Sequence, residues 1–329
     1  MKFLIIRLGA IGDAVHSTII AQAIKNKYPE AQIHFMTASF IKPLLECSPF
    51  IDKIIPFDLN KSNNIFYILK TGLSLLSEHY DIIFPLSNTT RNIIMTYLAA
   101  PKRIVKRNKN RVHAVDAFFN TAVDGLGELD KPKQIVLKIN DELKKSVEEK
   151  VKDFPRPYFV FSPGGENDNA RQGRIWADEY WIELGNKLTE KYGGTVFICG
   201  GNSEKEAHRK YETIKNSKIF TGELSLSESA ALYSISDLFI SGDSGPLHIA
   251  ACFDTNIAAL YGSTNPVSVS PYGHENSCIE PSKDCRYCGK KTCEKLKEGE
   301  KITPCMKSIT PDMVLKFIED NNKLKEAKV

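Results

Sequence analysis

Close to the start of the chain, a near-continuous apolar run over residues 2–8 ends in the turn Gly9-Ala10-Ile11-Gly12-Asp13, after which a helical pattern reaches Tyr28 and stops at Pro29. A strand, a glycine turn and a helix put Asp13 at a helix N-terminus, where the macrodipole favours a carboxylate and the strand's carboxyl edge faces a ligand. An aspartate so placed is either a helix cap or a general base. His16 shares its helix face, as a packing or surface residue. The turn Gly9-x-x-Gly12 lacks the third glycine of the dinucleotide fingerprint, and no acidic residue ends the next strand run at 33–36. A nicotinamide dehydrogenase is therefore poorly supported.

A second strand-to-helix turn, Ser241-Gly242-Asp243-Ser244-Gly245-Pro246-Leu247-His248, is rich in glycine and hydroxyl. Its backbone N–H groups would seat a diphosphate, or it is an ordinary connecting loop. Asp243 would repel an anion, so it bonds a sugar or ribose hydroxyl or orders the loop. Arg171 and Arg174 precede an amphipathic helix carrying Trp181, Leu184 and Leu188. Either guanidinium can grip a phosphate through two parallel hydrogen bonds, or is simply solvated.

Five of the eight cysteines fall in residues 278–305, with the core Cys285-x2-Cys288-x4-Cys293-x11-Cys305 and Cys278 as a spare. In a chain read as cytoplasmic, that spacing predicts a tetrathiolate knuckle rather than disulfides, with structural zinc as the default metal and iron as the alternative; the other reading is free thiols. No open coordination position is implied, so no catalytic metal is expected.

The elements that must position these residues follow from pattern. The 329 residues suffice for about two domains, and 42% hydrophobic with 26% charged residues excludes disordered and fibrous classes. The longest apolar stretches fall well short of a membrane span, and Arg7 breaks the N-terminal apolar run without a cleavage site after it. The expectation is a cytoplasmic protein. Strand runs at 33–36, 53–57 and 81–86 alternate with helical segments, and the second half repeats the scheme with strands at 158–162, 195–199, 238–241 and 257–261. Two α/β domains are predicted, residues 1–152 and 158–329, joined by a linker at 153–157 containing Pro155 and Pro157. Tandem domains of this kind imply a cleft between them.

Residues 1–150 carry 21 Lys/Arg against 15 Asp/Glu, and residues 151–329 carry 23 against 25. Much of the first excess is Lys102, Arg103, Lys106, Arg107, Lys109 and Arg111. This run is either a solvated charge stretch or a contact for phosphates of an anionic membrane or glycolipid. Without interleaved aromatics it does not suggest nucleic acid.

Together these segments resemble glycosyltransferase family 9, the ADP-heptose:lipopolysaccharide heptosyltransferases and their relatives. The resemblance rests on Ile5-Ile6-Arg7-Leu8 through Gly12-Asp13 and Thr18, Tyr28-Pro29, Ser162-Pro163-Gly164 through Arg174-x-Trp176, Gly200-Gly201-x-x-Glu204 and Gly222 through Leu226. It extends through Asp243 to Ala251, Tyr261-Gly262-Ser263-Thr264 and the Cys-x2-Cys, Cys305-Met306 and Ile309 pattern, and so covers nearly the whole chain. It implies the GT-B fold, two Rossmann-like α/β domains with parallel sheets facing a central cleft, acceptor on the first and nucleotide-sugar donor on the second. It also implies an inverting transfer with Asp13 as general base, and donor binding by Arg174, Glu204, Leu224, Asp243, Ser244, Gly245 and His248. The implied partners are ADP-heptose and a lipid-linked lipopolysaccharide acceptor, met by a cytoplasmic protein peripheral to the inner membrane face. Alternatives are another sugar nucleotide, a protein acceptor, a non-catalytic nucleotide-sugar-binding scaffold, or a two-domain epimerase. Relatives carry Lys in place of Arg174, a Trp-Pro pair where Trp176-Ala177 stands, Thr in place of Ser244, and Pro in place of Ile19. Some relatives that glycosylate proteins hold iron with a cysteine cluster.

Overall fold

A computed structural model describes residues 1–108, 112–164, 172–281, 285–321 and 323–324, in two compact units, Met1–Lys138 and Ile139–Val329. The first contains β1 (Lys2–Ile6), α1 (Ile11–Lys27), β2 (Gln32–Ala38), α2 (Lys42–Leu45), β3 (Lys53–Phe57), α3 (Ile65–Ser74), β4 (Ile82–Pro85), α4 (Thr90–Leu98), β5 (Arg103–Ile104) and α5 (Ala114–Leu126). Its five strands are all parallel, in the order β3-β2-β1-β4-β5. A parallel sheet is covered on both faces, which is why β1 and β4 read as unbroken apolar runs and are almost wholly buried. Pro56 is tolerated because β3 is an edge strand, where a missing donor leaves no partner unsatisfied. α1 packs on α5, and α3 packs on α4. The α3–α4 crossing is tight because Gly72 has no side chain: a Cβ there would stand 2.8 Å from Leu98 Cδ1 and 3.1 Å from Met95 Cα.

The second unit contains α6 (Asp141–Val151), β6 (Tyr158–Ser162), α7 (Asp178–Tyr192), β7 (Thr195–Ile198), α8 (Lys205–His208), β8 (Ser217–Ile219), α9 (Leu226–Ile235), β9 (Leu238–Gly242) and α10 (Gly245–Ala250). It continues through β10 (Asn256–Leu260), α11 (Pro266–Val269), β11 (Cys278–Ile279), α12 (Pro304–Lys307) and α13 (Pro311–Asp320). Six parallel strands run β11-β10-β9-β6-β7-β8. Both sheets thus have the doubly wound order, with the winding reversing beside β1 in one and beside β6 in the other. Trp176, Trp181, Leu184 and Leu188 pack with Phe161, Ile240 and Leu260 in the second core, where Trp176 Nε1 donates to the Ile309 carbonyl at 2.7 Å.

The units part before α6, not at residues 153–157. Val147 and Val151 of α6 are buried, the helix packs on α9, and Lys150 bonds Glu228 at 2.7 Å. Apolar burial and this ion pair hold α6 to the second unit, and residues 153–157 lead from it into β6. The edge strands β5, β8 and β11, with two or three residues each, are too short to register as periodic runs.

Candidate functional site

In the first unit the winding reverses between β1 and β4, and the loops leaving their carboxyl ends meet there. Asp13 stands in the first turn of α1, but the N-cap position is Ala10 and no side chain caps the helix. The carboxylate is instead ion-paired with Arg7, the residue that follows β1. Arg7 also donates to the Leu86 carbonyl just beyond β4 at 3.3 Å, so one guanidinium bridges both strands at the switch point. The Asp13 side chain is 34% exposed against 12% for Arg7, which leaves the carboxylate open to a ligand while its counter-charge is shielded.

Arg107 is half-buried, with its guanidinium over the Phe118 ring at 4.6 Å from the centroid. Its ionisation is lowered by burial, raised by the charge of Asp13 and lowered by that of Arg7, which places it in the same electrostatic neighbourhood. Of the expected basic run, Lys102, Arg103 and Arg107 take separate partners. Lys102 pairs with Asp81 at 2.6 Å, and Arg103 donates to the last-turn carbonyls of α5, Gly125 at 2.8 Å and Asp124 at 3.1 Å. Helix C-terminal carbonyls carry partial negative charge, so Arg103 is held as a cap. Lys106 is exposed, and Lys109 and Arg111 lie outside the described residues. His16 is buried beside His113, 5.9 Å between ring centroids.

In the second unit the reversal falls between β6 and β9, and a hydroxyl chain ties it together: Ser241 Oγ donates to the Ser162 carbonyl at 3.0 Å and meets Ser244 Oγ at 2.8 Å. Asp243 is 4% exposed. Its Oδ2 lies 2.5 Å from Arg174 Nη2, and its Oδ1 lies 3.6 Å from His248 Nε2. Burial raises the Asp243 carboxyl, but hydrogen bonding from His248, the charge of Arg174 and the Thr264 hydroxyl outweigh it and hold it below the ordinary carboxylate value. Asp243 therefore orders the loop and orients both basic side chains. The turn bearing Arg174 fits because its neighbours lack side chains: a Cβ on Gly173 would stand 2.4 Å from Ser263 Cβ, and one on Gly242 would stand 2.9 Å from the Arg174 carbonyl. Gly165 and Arg171, on the loop before this turn, lie outside the described residues.

Ser244 is the N-cap of α10 and Gly245 its first residue; Pro246 has no N–H, so the amides at this end come from residues on either side of it. Glu204 lies beyond β7, where its Oε2 accepts from Gly201 N at 2.6 Å. Leu224 follows β8, half-buried, and the two loops are joined by Gly222 N donating to the Gly200 carbonyl at 3.1 Å. Arg174, Glu204, Leu224, Asp243, Ser244, Gly245 and His248 thus all lie on connections beyond the carboxyl edge of the second sheet, or at the helix starts that follow them. His208 belongs with them and sequence reasoning missed it: buried, it meets Thr221 Oγ1 at 2.7 Å and the Gly164 carbonyl at 3.1 Å, tying the loops after β6 and β8. No motif announced it. Arg7 had a signal, a charge ending an apolar strand two residues before a glycine turn. Arg107 had none beyond the basic run.

The four cysteines do not close into the expected knuckle. Among the described residues no group of three or more His, Cys, Asp or Glu side chains is arranged to hold a metal ion. Cys305 is buried at α12, its sulfur 3.2 Å from the Thr303 hydroxyl, while Cys288 is exposed and Cys285 and Cys293 are half-buried. Cys305 packs in the second core with Met306 and Ile309, and Cys285 packs against the same cluster. Burial raises the Cys305 thiol above the ordinary value, and the neighbouring Cys285 and Cys288 add to the rise. The four cysteines, as the described residues stand, show no tetrathiolate arrangement.

Residues 68–298 match the model of glycosyltransferase family 9 (heptosyltransferase). Lipopolysaccharide heptosyltransferase 2 of Salmonella typhimurium is 27% identical over 310 residues, covering 85% of this chain and 88% of its own length. Its Escherichia coli counterpart is 26% identical over 309 residues, with 85% and 88% covered. The solved structure of E. coli ADP-heptose lipopolysaccharide heptosyltransferase II has the same fold, with a TM-score of 0.79 at 22% identity over 97% of this chain and 98% of that one.

Proposed function

Because the chain belongs to glycosyltransferase family 9, we propose that it moves a heptose from ADP-heptose to an inner-core lipopolysaccharide acceptor, with inversion at the anomeric carbon and Asp13 as general base. One observation carries the assignment of the base: the Asp13 carboxylate caps nothing, is held by Arg7 at the switch point of the first sheet, and stays one-third exposed. In the reaction, Asp13 takes the proton of the acceptor hydroxyl as its oxygen attacks the anomeric carbon. The bond from that carbon to the diphosphate oxygen breaks on the opposite face, and ADP leaves with the electron pair.

The leaving diphosphate needs fixed positive groups. Arg174, oriented by Asp243, and the amides of Ser244 and Gly245 supply them; His248 completes the support of Asp243. Glu204 and Leu224 line the nucleoside end, the carboxylate toward ribose hydroxyls and the leucine against the adenine face. Arg7 and Arg107 keep the acceptor side cationic around one carboxylate, which suits an anionic lipid-linked saccharide. No helix among the described residues is long and apolar enough to cross a membrane. A chain acting on this acceptor works at the cytoplasmic face of the inner membrane as a peripheral protein.

The test is ligand-dependent thermal stabilisation by ADP, UDP and GDP, followed by transfer assays with ADP-heptose and a lipopolysaccharide acceptor truncated at the inner core. Selective stabilisation by ADP with heptose transfer is the expected result. Selective stabilisation by UDP or GDP, with transfer from that sugar nucleotide, replaces the donor. Binding of a nucleotide sugar without transfer to any acceptor would leave a scaffold and overturn the enzymatic assignment.

A further inference from the structure

α3 turns an apolar stripe outward that is exposed among the described residues of its unit. Ile68, Gly72 and, just past the helix, Leu75 are its buried side. Ile65, Leu69, Leu73 and Leu76 follow at intervals of four, four and three, the spacing of one helical face, and Phe66 stands beside them. All five are exposed, Phe66 at 80% and Leu73 at 53%. Single exposed apolar side chains need no explanation, but four along a ten-residue helix and a fifth just past its end form a patch of the kind that marks an interaction surface.

The charge around the stripe selects its partner. From residue 59 to residue 77 the chain has no Asp or Glu, while Lys61 and Lys70 are present and the remaining polar residues are Asn, Ser, Thr and Tyr. The first acid beyond the stripe, Glu78, is occupied by Lys2 and by Lys53, the latter at 2.6 Å. Just before the stripe Asp58 pairs with Lys61 at 3.5 Å, and past it Glu78 is offset by two lysines, so with Lys70 the surround is net basic, the pattern of a helix that lies in the plane of an anionic bilayer surface. Topology adds a reason for this location. α3 starts beyond the carboxyl end of β3, so Ile65 and Phe66 lie at the same edge of the first sheet as Asp13.

We propose that the Ile65–Phe66–Leu69–Leu73 face of α3, with Leu76 just past its end, docks the enzyme on a bilayer containing anionic lipid, the apolar side chains entering the headgroup region with Lys70 above the phosphates. The inference deepens the acceptor assignment made above and rests on it for its purpose, because a lipid-anchored acceptor presents its hydroxyl at such a surface.

The full chain, the double variant Phe66→Asp/Leu73→Asp and the single variant Phe66→Trp are floated with vesicles of phosphatidylethanolamine and phosphatidylglycerol, and with phosphatidylcholine alone. The full chain partitions onto the anionic vesicles, the double variant loses about tenfold or more of that partition, and brominated lipid quenches the new tryptophan in Phe66→Trp. The double variant retains transfer to a deacylated, water-soluble acceptor but slows on vesicle-embedded acceptor. Equal vesicle binding by the full chain and the double variant, or an unquenched Phe66→Trp, overturns the proposal, and this second readout stands even if the double variant misfolds. So does a full-chain dimer that the double variant converts to monomer, because the stripe is then the contact between two copies. Failure of all heptosyl transfer with intact vesicle binding through Phe66 removes the functional assignment and leaves the docking face; transfer without vesicle binding does the reverse.

Discussion

Asp243, 4% exposed, holds Arg174 through an Oδ2 to Nη2 contact of 2.5 Å across the end of the second sheet. The carboxylate is too buried to serve a ligand broadly, so its contribution passes through the guanidinium it aims. Breaking a fully buried ion pair costs about 3–5 kcal/mol, and the quarter exposure of Arg174 reduces this to roughly 1–3 kcal/mol for Asp243→Asn. Thermal unfolding checks the stability loss. Donor KM should rise together with a fall in kcat, because Arg174 loses its orientation; an unchanged donor KM would detach Arg174 from the donor.

Asp13→Ala should keep ADP affinity, measured by calorimetry, and lose on the order of 10²- to 10⁴-fold in transfer rate, the usual worth of a general base. Arg7→Ala removes the group that holds the carboxylate and should lower transfer with little effect on ADP binding, since both residues lie in the first unit. Undiminished turnover in Asp13→Ala would take this residue out of the mechanism.

Gly173→Ala introduces a Cβ 2.4 Å from Ser263 Cβ and 2.5 Å from its hydroxyl. The turn or the Ser263 strand-end must shift, at about 1–3 kcal/mol for an overpacked site. Arg174 follows Gly173, so the same change should displace it and lower kcat/KM for the donor. Gly173→Ala combined with Ser263→Gly should recover both readouts, and failure of the pair to recover would place the strain elsewhere.

Stability should fall steeply in acid for a reason visible in two lysine-paired carboxylates. Hydrogen bonding from Lys2 and then Lys53 pulls the Glu78 carboxyl down to about 2, and Lys150, joined by Ser225, does the same for Glu228. A folded-state value below the unfolded one of about 4.5 means that the stabilisation is present above 4.5 and disappears as pH falls through 2. Denaturant titrations across that window should show a flatter decline for Glu78→Gln than for the parent, with lower stability for the variant at neutral pH. Parallel profiles would mean that Glu78 is not linked to acid unfolding.

Much of the fold was legible because parallel strands buried on both faces must be apolar throughout. Residues 2–8, 81–86, 158–162 and 238–241 announce four central strands, and Gly12-Asp13 and Gly242 through Gly245 announce the turns that follow two of them. The edge strands and the place where the units part were not legible. Strands of two or three residues carry no periodicity, and the allegiance of α6 depends on α9, distant in sequence.

The sequence by itself determined the α/β class, the two glycine turns at strand ends and the residue types at the candidate site, because these depend on local pattern and on chemistry carried by each side chain. Only the tertiary structure decided what those side chains do. It turned Asp13 to Arg7 instead of the helix amides, sank Asp243 between Arg174 and His248, and gave Lys102, Arg103 and Arg107 of the basic run separate partners in Asp81, the α5 carbonyls and Phe118. Arg7 with Asp13 and Asp243 with His248 meet across single turns, but Arg174 with Asp243, Lys102 with Asp81 and Arg103 with α5 join segments distant in sequence, and pairing across such distances is set by the packing of sheets and helices rather than by any local pattern.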